Sequence, residues 1–185
     1  SSRDVSDLVY ETEMLFHGTP SGVDNTVVAF GKPVYFVRGQ QMEVFWVRRP
    51  LMLAVADTGV LSATREVVLA VRQAWEQAPE PHDALFDEMG RVAREARPAI
   101  EGGRLQELGS LMDENHGLLQ QLGVSCPELD ALVQAARQGG ALGAKLCGAG
   151  RGGKMVALVT QQTVGQVAMM LRLAGARVVV VATVQ

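Results

Sequence analysis

Two short segments concentrate the groups that can do chemistry. The first is His17-Gly18-Thr19-Pro20-Ser21-Gly22-Val23-Asp24-Asn25, which places an imidazole, two hydroxyls and a carboxylate between glycines in a connector flanked by apolar stretches. Gly18 and Gly22 permit close backbone approach, and Asp24, just before the apolar run 27–30, is expected to be held rigidly at the mouth of a strand. The same residues equally suit a plain turn with Ser21 and Asp24 as caps, and His17 taken alone reads as structural. The second segment is Lys145-Leu146-Cys147-Gly148-Ala149-Gly150-Arg151-Gly152-Gly153-Lys154, a glycine-rich loop leading into a strand. Successive peptide N–H groups in such a loop can cradle an anion where no side chain blocks the approach. Its spacing is neither that of a Walker loop nor that of a dinucleotide fingerprint, and a simple hairpin connection explains the glycines as well.

The elements around these segments follow from apolar spacing. Residues 7–16 carry Leu8, Val9, Met14 and Leu15 in a pattern that a helix can bury on one side, and the run breaks at His17-Gly18. Short β-branched and aromatic runs at 27–30, 34–37 and 44–47, parted by Gly31-Lys32-Pro33 and Gly39, predict antiparallel strands. The almost wholly apolar run 51–56 predicts a strand covered on both faces. Val60, Thr64, Val67, Val68, Val71 and Trp75 then form one helical stripe up to Pro79. Leu85, Met89, Val92 and Ala96 form another before Pro98, and Leu105 through Leu122 a third before Gly123. A fourth helix opens at Ser125-Cys126-Pro127-Glu128, where Ser125 and Glu128 can form a capping box, and closes at Gly139-Gly140. Strands at 154–159 and 177–184 flank a helix from about 163 to 173. Strands, then helices, then strand-helix-strand predict an α+β fold, with 51–56 central between the last two strands and the helices largely on one face.

Composition excludes several classes. The 185 residues are 48% hydrophobic and 20% charged, too apolar for a disordered chain. Seventeen basic and twenty acidic residues leave a net charge of −3 without a Lys/Arg block, so no nucleic-acid partner is expected. Cys126 and Cys147 are too few for a disulfide framework or a four-ligand zinc site, which fits a reducing, cytoplasmic setting. No apolar stretch approaches the roughly 20 residues needed to cross a bilayer, so no membrane partner is expected. The first residue is Ser1 and an apolar stretch follows at once, which suggests a chain that begins inside a larger architecture.

Taken together and in order, the motifs resemble the mevalonate kinase branch of the GHMP small-molecule kinases. The resemblance is carried by Glu13, the loop 17–25, Asp57-Thr58-Gly59, Ser62-Ala63-Thr64, Met112, Asn115, Leu122-Gly123-Val124-Ser125 and the run 145–153. It implies a ferredoxin-like C-terminal domain at 51–185 preceded, at 1–50, by the tail of an N-terminal kinase domain. It implies phosphoryl transfer from ATP to a hydroxyl of mevalonate, with Asp24 engaging the attacking hydroxyl and Glu13 helping to hold Mg²⁺. It places His17, Ser21 and Thr64 on the substrate side, and Gly148, Ala149, Gly150, Arg151, Gly152 and Gly153 on the ATP phosphates. Phosphoryl transfer needs mostly positioning and charge neutralisation, and these are suitable parts.

Two departures stand out. Arg151 interrupts what is usually an unbroken glycine run; at positive φ it costs on the order of 1 kcal/mol, and otherwise its guanidinium can sit near phosphate. The family's Gly-Leu-Gly-Ser-Ser-Ala-type ATP loop and its substrate-proximal lysine do not occur in these residues. The resemblance therefore implies a chain that works with an absent N-terminal kinase region and is incomplete alone. Apolar residues such as Val9, Met14, Phe36 and Phe45 would then lack cover, and self-association is expected. A non-catalytic ligand-binding or dimerisation module derived from such a kinase, or a kinase for phosphomevalonate or another small alcohol, are the alternatives.

Overall fold

The computed structural model describes residues 8, 9, 11, 23–37 and 39–185, without the side chains of Asp24 and Asn25. The chain divides into two compact units, Ser1–Val47 and Arg48–Gln185.

In the first unit, α1 spans Val23–Phe30. This corrects the strand expected at 27–30: four apolar residues are too few to set a period, and the segment from Val23 completes two helical turns. Asp24 consequently stands in the first turn of a helix instead of at the mouth of a strand. Two-residue strands β1 (Val34–Tyr35) and β2 (Glu43–Val44) pair antiparallel, Val34 opposite Val44. They are shorter than the runs that predicted them. Leu8, Val9 and Glu11 have helical backbone, whereas the rest of the helix expected at 7–16 lies outside the described residues. Leu8 and Val9 are exposed, but Phe45, expected to lack cover, is buried and Phe36 is half-buried.

The second unit is built on a four-stranded antiparallel sheet ordered β4-β5-β3-β6, with β3 at Leu51–Asp57, β4 at Gly143–Cys147, β5 at Lys154–Val159 and β6 at Val178–Val184. Strand β3 lies between β5 and β6, Ala54 opposite Ala157 and Val181. The order of elements is β-α-β-β-α-β, the ferredoxin-like arrangement. Between β3 and β4 the chain forms α2 (Thr64–Gln77), α3 (Pro79–Gly102), α4 (Leu105–Gln121) and α5 (Pro127–Gln138), and between β5 and β6 it forms α6 (Val164–Leu173).

Helices α5 and α6 cover one face of the sheet. Their Leu129, Leu132, Val133, Ala136, Val167 and Leu171 meet Ala54, Ala56, Met155, Ala157 and Val159 in one buried cluster. Small residues on β3 and β5 let the helices approach, and the Leu and Val side chains fill the layer. Helix α4 lies along β4, α3 packs on α4, and α2 on α3.

Three local expectations change. Pro98 does not end its helix: α3 runs on to Gly102, with Ala99 fully buried, and stops where Gly103 turns left-handed at φ 68°. The lost proline hydrogen bond is outweighed by packing on both sides of it. The stripe begun at Val60 becomes helical only at Thr64. The capping box at α5 does not form, because Ser125 Oγ donates to Asp130 Oδ1 at 2.5 Å and Cys126 stands at the N-cap without a side-chain cap.

Candidate functional site

The residues expected to be a glycine-rich loop include a strand. Gly143–Cys147 is β4, paired antiparallel to β5 with Cys147 opposite Lys154, so residues 148–153 form the hairpin loop between them. The strand was missed because its composition, two small residues, a lysine, a leucine and a cysteine, carries no β-branched signal. The hairpin reading of the loop is therefore realised.

The carbonyl side of that backbone is tied down. Gly150 C=O accepts from Ser62 Oγ at 2.7 Å, and Gly153 C=O accepts from Thr58 N–H and Thr58 Oγ1, each at 2.9 Å. Two of its amides are also used: Arg151 N–H donates to Val124 C=O at 2.7 Å, and Gly153 N–H to Val60 C=O at 2.9 Å. The N–H groups of Gly148, Ala149, Gly150 and Gly152 have no acceptor among the described residues. Open peptide donors in a glycine loop are groups of the kind that can receive an anion.

Glycine is required at the crossing with the α4–α5 connection. A Cβ on Gly150, which has φ 92°, would collide with the Val124 carbonyl oxygen. Arg151 has φ 56°, the one positive-φ non-glycine residue among those described, so it carries the strain that its sequence position suggested. Its Nε donates to Gly123 C=O at 3.3 Å, which draws the loop against the same connection.

Thr58, Val60 and Ser62 come from the segment between β3 and α2, so Thr64, the first residue of α2, stands at the end of the sheet that carries the loop. Its hydroxyl is exposed in the first helical turn. At the foot of this segment Asp57 Oδ1 accepts the Gly59 N–H at 2.8 Å, and Lys154 Nζ lies 3.4 Å from Oδ2. The Gly59 amide, followed by Lys154, holds the Asp57 carboxyl below its usual range.

The remaining predicted site residues are not brought to this loop by anything described. Glu13, His17 and Ser21 lie outside the described residues, and of Asp24 only the backbone, in α1, is described. Among the described residues no three His, Cys, Asp or Glu side chains converge as a metal site, and no helix is long and apolar enough to cross a membrane.

Sequence reasoning missed Asp113 and His116 beside β4, and it gave Lys145, within β4, no role beyond its place in the glycine-rich run. Asp113 and His116 of α4 accept hydrogen bonds from Ala144 N–H and Leu146 N–H at 2.8 and 3.3 Å. Lys145 lines a cavity of about 160 Å³ with Asn115, Met112 and apolar residues of α3 and α4, and burial pushes its amine below the ordinary lysine range. The only sequence signals were a histidine and an aspartate at i and i+3 in a helix and a lysine among glycines.

Known proteins bear on this geometry. Residues 96–176 match the family described as GHMP kinases C terminal. The mevalonate kinase of Thermococcus sibiricus is 39% identical over 178 residues, 94% of this chain and 53% of that protein. That of Pyrococcus abyssi is 38% identical over 180 residues, 95% of this chain and 53% of that protein. A solved mevalonate kinase of L. major, in complex with R-mevalonate, matches with a TM-score of 0.90 and 36% identity, covering 100% of this chain and 59% of that one. The chain thus spans about half the length of the curated relatives it matches. With the ferredoxin-like sheet and its glycine hairpin already established, residues 96–176 are similar to the C-terminal domain of the GHMP kinases, and the chain as a whole is similar to about half of a mevalonate kinase.

Proposed function

We propose that this chain serves ATP-dependent phosphorylation of the hydroxyl of mevalonate, giving phosphomevalonate, and that the hairpin 148–153 holds phosphate oxygens of ATP. The observation that carries the reading is four open peptide N–H groups in a glycine loop, two of whose carbonyls, those of Gly150 and Gly153, are held by Ser62 and Thr58. Such donors need no reorganisation when negative charge arrives, which is how positioned dipoles assist phosphoryl transfer. The relatives of about 38% identity named as mevalonate kinases, and the solved neighbour holding R-mevalonate, support mevalonate as the acceptor.

In this reading Asp24 engages the attacking hydroxyl, orienting it and accepting its proton. His17, Ser21 and Thr64 face the alcohol, and Glu13 is the carboxylate for Mg²⁺, which would neutralise charge between the phosphates. A further kinase region supplies the serine-rich ATP loop that these residues lack, and the protein works in the cytoplasm.

The test is a chimera in which the N-terminal half of the Thermococcus sibiricus mevalonate kinase precedes this chain, assayed for ADP release with mevalonate, phosphomevalonate and galactose in parallel. Mevalonate-dependent turnover is expected. Turnover with another alcohol alone would reassign the substrate, and a folded chimera inert on all three would favour a non-catalytic module. In the active chimera, Asp24→Asn should lower kcat by about 10² to 10⁴-fold, the usual worth of acid-base assistance, while ATP affinity and stability change little.

A further inference from the structure

Helix α4 replaces a missing strand along the outer edge of the sheet. Strand β4 directs alternate peptide groups away from β5, and α4 meets two of them with side chains one turn apart: Asp113 Oδ1 takes the Ala144 N–H and His116 Nδ1 the Leu146 N–H. Asp113 is itself held by Arg137 Nε of α5 at 2.8 Å. His116 is only 2% exposed. Because a peptide N–H can only donate, the Nδ1 that accepts it carries no proton, and the neutral ring is protonated on Nε2. That nitrogen lies 3.1 Å from Asp130 Oδ1.

We propose that His116, in its Nε2–H form, is a positioning residue for the hairpin 148–153. With Asp113 it fixes the end of β4, two residues before Gly148, so that the open N–H groups are presented to phosphate; it releases that end when the ring takes a second proton. The inference rests on the hairpin being a phosphate cradle. A second proton would have to enter at Nδ1, setting donor against donor at Leu146 and breaking the edge bond next to the loop.

The surroundings give the sign of the pH effect. Asp130 and Arg137 of α5 and Asp113 of α4 are the charged groups that bear on the ring, and β4 presents a peptide N–H, its Lys145 pointing into the cavity beside α3. Burial dominates and holds the imidazole below its ordinary 6.5, with the carboxylates opposing and Arg137 assisting. A depressed histidine binds fewer protons folded than unfolded, so its contribution is intact above 6.5 and is lost as pH falls through the lowered folded value.

The test uses the 185-residue chain, ¹⁵N NMR and inorganic pyrophosphate as the probe. In the native chain Nδ1 of His116 should resonate as a bare nitrogen; a protonated Nδ1 overturns the proposal without any variant. Pyrophosphate should shift the amides of Gly148, Ala149, Gly150 and Gly152, with affinity falling as pH drops through the imidazole's titration. His116→Asn puts an oxygen where Nδ1 was and should keep native affinity and lose that pH dependence. His116→Gln puts its oxygen near Nε2 and should weaken binding about tenfold, the worth of one buried hydrogen bond, while speeding exchange of the Leu146 amide. Equal affinity in the two variants, or faster Leu146 exchange with unchanged hairpin amides, overturns the proposal. Should either variant fail to fold, the native chain's Nδ1 resonance and pH profile decide. If pyrophosphate moves none of the four amides, the cradle reading fails, whereas the hairpin amide positions in the Asn and Gln variants still report whether His116 places the loop.

Discussion

The two edges of the sheet are treated in opposite ways. At β4 the outer peptide groups are met by Asp113 and His116, and α4 comes so close that a Cβ on Gly109 or Gly143 would strike the other's backbone or that of Leu142. At β6 the outer edge has no strand beyond it among the described residues, and Val178, Val180 and Val181 are exposed. The fastened edge is the one that continues into the glycine hairpin. A loop of glycines has little stiffness of its own, so its geometry depends on what anchors the strands at its base. The open edge bears no such loop and can remain a bare, apolar strand, at the risk of pairing with another copy.

The sharpest way to break this contrast is Gly143→Ala. The new Cβ would press on the Gly109 carbonyl, forcing α4 off the edge, and should cost about 3 kcal/mol in urea unfolding. A loss below about 0.5 kcal/mol would mean that the close approach is not a constraint. Asp113→Ala should cost less, about 2 kcal/mol, because it strands the Ala144 N–H and the Arg137 guanidinium while leaving the packing in place. Asp113→Asn, which retains an oxygen acceptor, should recover part of that loss.

Within the hairpin the expected sign reverses. Arg151→Gly removes a side chain held at φ 56° and should raise stability by about 1 kcal/mol, less whatever the exposed bond to Gly123 contributes. Destabilisation by the same amount would show that the tether outweighs the strain. The smallest effect belongs to the open edge: Val180→Lys, at a side chain 53% exposed, should change unfolding free energy by no more than about 0.5 kcal/mol. Sedimentation of the two proteins checks the expected self-association, since a charge on this edge should reduce any share of it that runs through β6.

Much was legible without coordinates. Strands β3 and β5 are apolar runs and β6 is a β-branched one, and the stripes of α2, α3 and α4 recur at three and four residues, so local periodicity suffices to find them. The place of β3 between β5 and β6 also followed, from its being apolar on both faces. The glycine hairpin itself was visible in its glycines, whereas strain at Arg151 stood as one of two alternatives until its left-handed φ of 56° decided between them.

Tertiary structure decided what local pattern leaves open. Residues 27–30 share their composition with a strand but fold as the end of α1, and Pro98 sits inside α3 because packing around Ala99 outweighs one lost bond. Strand β4 exists through its ladder with β5 and its acceptors on α4, partners about 30 residues away in sequence at Asp113 and His116. Those two residues looked like any polar pair on a helix. Their role depends on a peptide group that only the folded chain brings within 3.3 Å, and a one-dimensional pattern records residue types while leaving such encounters unspecified.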